Sequence, residues 1–138
     1  MTTIKAKKGE FVNLVNGLFQ VQDLKGKKFS LTVIKNIRTI EQELEDLEVA
    51  GKPTKEFMEL AQQVNEIANE NSDDSEAKIT ALEEDNKELV EARRKQIDEV
   101  KKMMEEEITM KLKSISENDL PNDITAKQIS NIEKIINN

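Results

Sequence analysis

Along most of this chain apolar residues return every three or four positions, the spacing of an amphipathic helix. Phe11, Leu14, Val15 and Leu18 are the first such set and predict a helix from about Lys8 to near Asp23. Lys25-Gly26-Lys27-Lys28 reads as a turn, with Ser30 as the expected N-cap of the next helix. Val33, Ile37, Ile40, Leu44 and Leu47 follow at spacings of 4, 3, 4 and 3, a heptad seam with Glu41, Glu43, Glu45 and Glu48 mostly off it. Gly51 and Pro53 end this helix in the order favoured at a C-terminus. Thr54 can cap a further helix with the stripe Phe57, Leu60, Val64 and Ile67. Two such stripes joined by a short Gly/Pro turn predict an antiparallel helical hairpin.

Asn69–Ser75 is a polar break whose acids suit the positive end of a following helix. That helix is expected to run unbroken from about Glu76 to Glu107, on the order of 45 Å. Its stripe is Ile79, Leu82, Asn86, Leu89, Arg93, Ile97, Val100 and Met104, spaced 3, 4, 3, 4, 4, 3 and 4. The irregular step between Arg93 and Ile97 is a stutter that would locally unwind a supercoil. Polar residues at Asn86 and Arg93 weaken such a seam but can fix its register and partner. Leu82, Asn86, Leu89, Arg93, Ile97 and Val100 therefore form the candidate interaction seam, with coiled-coil-like packing.

The rhythm changes at Ile108. Ile108, Met110 and Leu112 alternate with Thr109, Lys111 and Lys113. On a helix each step of two turns the side chain by about 200°, which gives no common buried face, whereas on a strand the three share one side. Residues 108–113 are therefore read as a strand, with a helix running on to Ser116 as the rival reading. A lone strand leaves its backbone groups unpaired. Thr2–Lys7, where Ile4 and Ala6 share a face, is the other strand-like segment. A small two-stranded sheet joining 2–7 and 108–113, within one subunit or between two, is expected.

After Leu120-Pro121, Thr125 and Gln128 have the spacing of a capping box, with Ile124 and Ile129 at the positions of a hydrophobic staple. A C-terminal helix of about three turns would carry Ile129, Ile132, Ile135 and Ile136 on one face. So short a helix is stable only when docked, so Ile129, Ile132 and Ile136 form a candidate docking face on the body of the protein or on a partner. The expected fold is mainly α with minor β: a helical hairpin plus one long helix, the small sheet and the C-terminal helix. It is read as a single domain over 1–138. The basic N-terminal part covers 1–38, the hairpin and long helix 30–107, and the strand and C-terminal helix 108–138.

Composition narrows the chemistry. The 138 residues include no His, Cys, Trp or Tyr, which excludes disulfides, thiolate or imidazole catalysis and zinc–thiolate sites. The 28 acids could in principle supply paired carboxylates, but Glu83–Asp85 and Glu105–Glu107 are consecutive and point to different sides of a helix. Asn69–Thr80 lacks the Gly at the sixth position of a calcium loop and has Thr80 where a bidentate Glu is needed. Gly26-Lys27-Lys28 is not a phosphate-binding loop, because Val21 stands where its first glycine belongs. No catalytic, metal or cofactor site is expected, and the chain is read as a non-enzyme. No apolar run approaches the roughly 18 residues of a membrane span, and basic residues near the N-terminus precede no signal-peptide core. The expected setting is the cytoplasm of the host cell, with virion association as a further option.

Charge is unevenly spread: residues 1–38 hold eight Lys/Arg against two acids, whereas 39–138 hold 13 against 26. Such asymmetry can steer a complementary partner or drive head-to-tail self-contact. The N-terminal lysines lack interleaved aromatics and the chain is acidic overall, so nucleic acid is not an expected partner. An acidic surface that imitates DNA is the opposite reading. EFVNLVNGLFQVQDLKGKKFSLTVIKNI, LVEARRKQIDEV and DLPNDITAKQI, in that order, resemble small bacteriophage accessory proteins of unknown function. Those proteins share a basic N-terminal helix, a charged helical middle and a short helix after Leu-Pro. The resemblance implies a viral accessory or assembly protein and brings no site residues with it. The functional expectation is a protein–protein interaction module: an assembly adaptor, chaperone or minor virion component. It would be homo-oligomeric, most simply a dimer, with a viral structural or host protein as partner. The alternative is an inhibitor of a host defence or nucleic-acid-binding enzyme.

Overall fold

The computed structural model describes residues 1–137, which form two compact units. The first contains residues up to Leu47 together with those from Lys102 onward, and the second is Glu48–Lys101.

The two ends of the chain meet in the first unit. Strand β1 (Thr2–Lys7) pairs antiparallel with β2 (Glu107–Leu112), with Thr2 opposite Leu112, Ile4 opposite Met110 and Ala6 opposite Ile108. The strand predicted from alternation is therefore present, displaced by one residue at each end. Ala6, Met110 and Leu112 face the core, while Lys5, Lys111 and Thr109 face outward, as a half-buried ribbon requires.

Helix α1 (Lys8–Gln20) starts directly from β1, and the Lys7 amide donates to the Glu10 carboxylate at 2.9 Å across the junction. Phe11, Leu14 and Leu18 bury the predicted stripe. Helix α2 (Lys27–Glu43) begins earlier than Ser30, the expected cap. Gly26, at φ +145°, makes the sharp entry, and its carbonyl accepts the first helical hydrogen bond from the Ser30 amide at 2.7 Å. α2 packs on α1 and on β2 through Phe29, Val33 and Ile40. It does not run on to Gly51 as one helix. The ladder breaks at Leu44, and α3 (Glu45–Gly51) resumes it, with Leu44 and Leu47 both buried.

After β2 the chain makes a two-residue strand β3 (Ile115–Ser116), a 3-10 turn (Glu117–Asp119) and helix α7 (Ala126–Ile132). The Thr125–Gln128 capping box forms as predicted, with Gln128 N donating to Thr125 Oγ1 and Thr125 N to Gln128 Oε1. The helix is shorter than expected. It passes into a 3-10 turn (Glu133–Ile135), and Ile136 then lies in β4 (Ile136–Asn137), parallel to β3. α7 packs on α1, where Gly17 comes so near that an added Cβ would meet the Asn131 carbonyl oxygen at 2.8 Å.

Two polar anchors complete this core. Lys8 keeps only 8% of its side-chain exposure, and its ammonium donates to Asp46 at 2.9 Å and Glu106 at 3.0 Å. Those hydrogen bonds raise the Lys8 pKa, with Asp46 first and Glu106 second, and Lys8 holds the Asp46 carboxyl below its usual range. Asn36 is fully buried and bonds the backbone of Lys113 through both ends of its amide.

The second unit is a helical hairpin, but not the one predicted. Thr54 caps α4 (Lys55–Glu70) as expected, accepting from the Phe57 amide at 3.1 Å. α4 then folds back on α5 (Ser75–Asp85) across Asn71–Asp74, so the closing turn is the polar break and not Gly51–Pro53. Asn71 takes the left-handed conformation (φ 48°, ψ 41°) that ends the helix, a role Asn fills more readily than most residues. Ser75 Oγ then donates back to the Ile67 carbonyl at 3.1 Å.

The expected single helix over 76–107 is divided into α5 and α6 (Lys87–Met104). Asn86 makes the break. Its side-chain amide donates to the Leu82 carbonyl at 2.9 Å, and its backbone N–H is shared between Leu82 and Glu83. An Asn side chain that competes in this way for a backbone acceptor loosens the helical ladder.

Candidate functional site

The buried apolar core belongs to the first unit, and the hairpin contributes only Leu60 to the set of buried apolar residues. In Glu48–Lys101 only Leu60 is fully buried, while Phe57, Val64, Ile67, Ile79, Leu82, Leu89 and Val90 remain half-covered. A helix packed only on one neighbour retains open apolar surface, and where that surface is continuous it marks a contact site.

The continuous part is an open groove of about 700 Å³ along α4, lined by Phe57, Leu60, Ala61, Val64 and Ala68, with Glu83 and Val90 from the opposite side. Those two opposing residues flank Asn86, so the groove lies where the helical ladder is interrupted. Ala61 and Ala68 are exposed, and their small side chains leave room for a helix to approach.

Beyond the break the hairpin is fixed by a polar clamp. Arg93 Nη1 donates to the Gly51 carbonyl at 2.8 Å and to Gln96 Oε1 at 2.9 Å. Gln96 Nε2 in turn reaches the carbonyls of Ala50 at 2.8 Å and Lys52 at 2.7 Å. The Arg93 guanidinium also lies 5.6 Å from the Phe57 ring centroid. Helix C-termini leave carbonyls without intrahelical partners, and these two side chains satisfy them.

The predicted seam residues fall into distinct roles. Leu82, Leu89 and Val100 are half-buried on the inner side of the hairpin, and Asn86 makes the break. Arg93 serves the α3–α4 turn. Ile97 lies off this face at 40% exposure, and Gln96 takes the place assigned to it. With Gln96 included, the half-buried positions 79, 82, 86, 89, 93, 96 and 100 step by 3, 4, 3, 4, 3 and 4, so the stutter disappears. Gln96 was hidden because a glutamine beside an isoleucine does not read as the inward residue. Its partners, 44 to 46 positions away, carry no local signal. On the C-terminal docking face, Ile132 is buried in the first unit, and Ile129 and Ile136 are half-buried there. Ile135 joins Ile132 in the core.

The electrostatics separate the units. Of 21 Lys/Arg and 28 Asp/Glu, 8 and 15 lie in Glu48–Lys101, so the whole formal charge of −7 resides in the hairpin unit. Between Glu56 and Glu91 there are 12 acids against Lys78 and Lys87. The groove floor is apolar, its lining also includes Gln62, Asn65 and the single carboxylate of Glu83, and it lies in the acidic unit of the protein. Among the described residues no group of three acids could hold a metal ion, and no helix is long and apolar enough to cross a membrane.

No protein-family model matches the chain, and no curated protein or solved structure matches it.

Proposed function

We propose that this protein is a non-enzymatic protein-interaction module whose working surface is the α4 groove of the hairpin. The observation that carries this reading is a groove with an apolar floor and two exposed alanines, set in the unit that holds the net negative charge. Those are the requirements for receiving an amphipathic helix with basic flanks, in which the apolar positions supply affinity and the charges supply selection. The sequence resemblance to small bacteriophage proteins favours an assembly adaptor, chaperone or minor virion component among such modules.

The test is a titration of the full chain with a synthetic amphipathic Leu/Lys helix, followed by methyl NMR. Leu60, Val64 and Val90 should shift, a Leu/Glu helix of the same length should not bind, and Ala61→Arg should abolish the shifts. Shifts confined to the first unit, or none at all, would remove the groove from consideration.

The 12 acids between Glu56 and Glu91 favour one further reading, occupation of a nucleic-acid-binding enzyme by an acidic surface. That reading requires DNA to compete for the partner and Ala61→Arg to leave binding intact, whereas the groove reading requires the reverse.

A further inference from the structure

The hairpin groove calls for a basic amphipathic helix, and the first unit of the same chain presents one. On α2, Phe29, Val33, Asn36, Ile37 and Ile40 are buried. The opposite face is Lys27, Leu31, Ile34 and Arg38, spaced 4, 3 and 4 and exposed throughout. Leu31 and Ile34 are 48% and 44% exposed although both are large and aliphatic. Lys28 and Lys35 flank them, Lys28 also reaching Asp119 of its own unit at 3.2 Å. No acid occurs between Asp23 and Glu41.

We propose that the occupant of the groove is a second copy of this chain, seated through the outer face of α2. The inference rests on the groove being a helix-binding surface and adds the identity of its partner. Three features match. The apolar pair Leu31 and Ile34 answers the floor made by Phe57, Leu60 and Val64. Lys27, Lys35 and Arg38 answer the net negative charge of the hairpin unit, which attracts a basic face at a distance. The lengths also agree: Lys27 to Arg38 and Phe57 to Ala68 each span 12 residues, a helical rise of about 16 Å. Because α2 is already folded and packed on its other side, docking it carries no helix-ordering cost.

Such a contact joins two different surfaces. If reciprocal, it closes a dimer with two equal contacts; if not, it continues head to tail. This sets it apart from a symmetric pairing of hairpin with hairpin.

The experiment uses sedimentation velocity on the full chain up to about 200 µM, where a contact of modest area is populated. The wild type should assemble, and its association should weaken as salt rises. A face variant (Leu31→Glu with Ile34→Glu) and a groove variant (Ala61→Arg) alter exposed positions, and unchanged circular dichroism should verify their folding. Each alone should associate about tenfold or more weakly. Mixed together they should form a 1:1 complex, because one keeps an intact groove and the other an intact α2. A mixture that stays monomeric while the wild type assembles would overturn the proposal in favour of a symmetric interface. A monomeric wild type that still binds the Leu/Lys helix would overturn self-recognition and leave the groove reading standing. A monomeric wild type that binds no helix would overturn both.

Discussion

Asn36 and Lys113, 77 residues apart, are joined as two neighbouring strands would be. The Asn36 side-chain Nδ2 donates to the Lys113 carbonyl at 2.9 Å, and the Lys113 amide donates to Asn36 Oδ1 at 2.8 Å. One buried amide on α2 thereby completes the hydrogen bonding of the chain just past the end of β2, on the edge that β1 does not pair. Asn36→Leu would leave both backbone groups of Lys113 without partners. The expected loss is about 1–3 kcal/mol, the cost of stranding buried polar groups. It should be seen as a lower urea midpoint with an unchanged m-value, together with faster exchange of the Lys113 amide. Asn36→Asp should not rescue, because it offers no donor to the Lys113 carbonyl.

Deletion of residues 1–7 removes β1 and leaves the outer edge of β2 unpaired. Several backbone hydrogen bonds, each worth about 0.5–1.5 kcal/mol net, are a large share of a small unit's stability. Hydrogen exchange should show protection of the Ile108, Met110 and Leu112 amides, which face β1, lost in the truncation and kept in a Lys5→Ala control. Amides of α4 and α5 in the hairpin unit should be unaffected.

Lys8 should give stability a dependence on pH at both extremes. Lys8 lowers the Asp46 carboxyl, so this contribution is complete above the unfolded value of about 3.9 and is lost as pH falls through the lower folded value. The Lys8 ammonium is shifted upward, so its contribution is complete below about 10.4 and is lost as pH rises through the higher folded value. Both carboxylates are more than half exposed, which limits the net effect to roughly 1–2 kcal/mol. Lys8→Met should lower the urea midpoint at pH 7 and flatten the decline below about pH 4. An unaltered pH profile in the variant would mean that the anchor carries no net stability.

The two polar residues of the predicted seam should respond in opposite directions. Asn86→Leu removes the side chain that competes for the Leu82 carbonyl and should stabilise the hairpin by a few tenths of a kcal/mol to about 1. Arg93→Leu frees the Gly51 carbonyl, strips Gln96 of a partner and ends the stacking on Phe57, and should cost about 1–2 kcal/mol. Thermal unfolding of the two single variants and the double variant tests this. Near-additivity is expected, because the two sites share no partner.

Several of these elements were legible in sequence because a few adjacent residues encode them. Two-residue alternation predicted β1 and β2, and the choice of each as the other's partner followed from there being no further strand-like segment of that length. Thr54 and the Thr125–Gln128 pair announced their helix starts because a cap needs only a side-chain oxygen and an amide two or three residues on. The apolar stripes of α1, α2 and α4 were visible for the same reason.

What the sequence could not settle was decided by surfaces meeting at long range. Stripe periodicity gives each helix a buried side but does not say against which neighbour. α4 could equally have answered the stripe before Gly51, and only the left-handed turn at Asn71 with the Ser75–Ile67 bond directs it onto α5. Ile97 outranks Gln96 on any hydropathy scale. Gln96 is nonetheless the inward residue, since three carbonyls at the end of α3 and in the turn after it need donors there and an isoleucine has none. Ile136 fits a helical face, yet β3 offers a strand edge, and a backbone that can pair there leaves the helix. The groove itself is a product of tertiary structure, because an apolar stripe becomes a binding surface only when the fold leaves it half covered. Local sequence thus determined where the helices and strands form, and the long-range competition for carbonyls, edges and apolar cover determined how they are joined and what remains exposed.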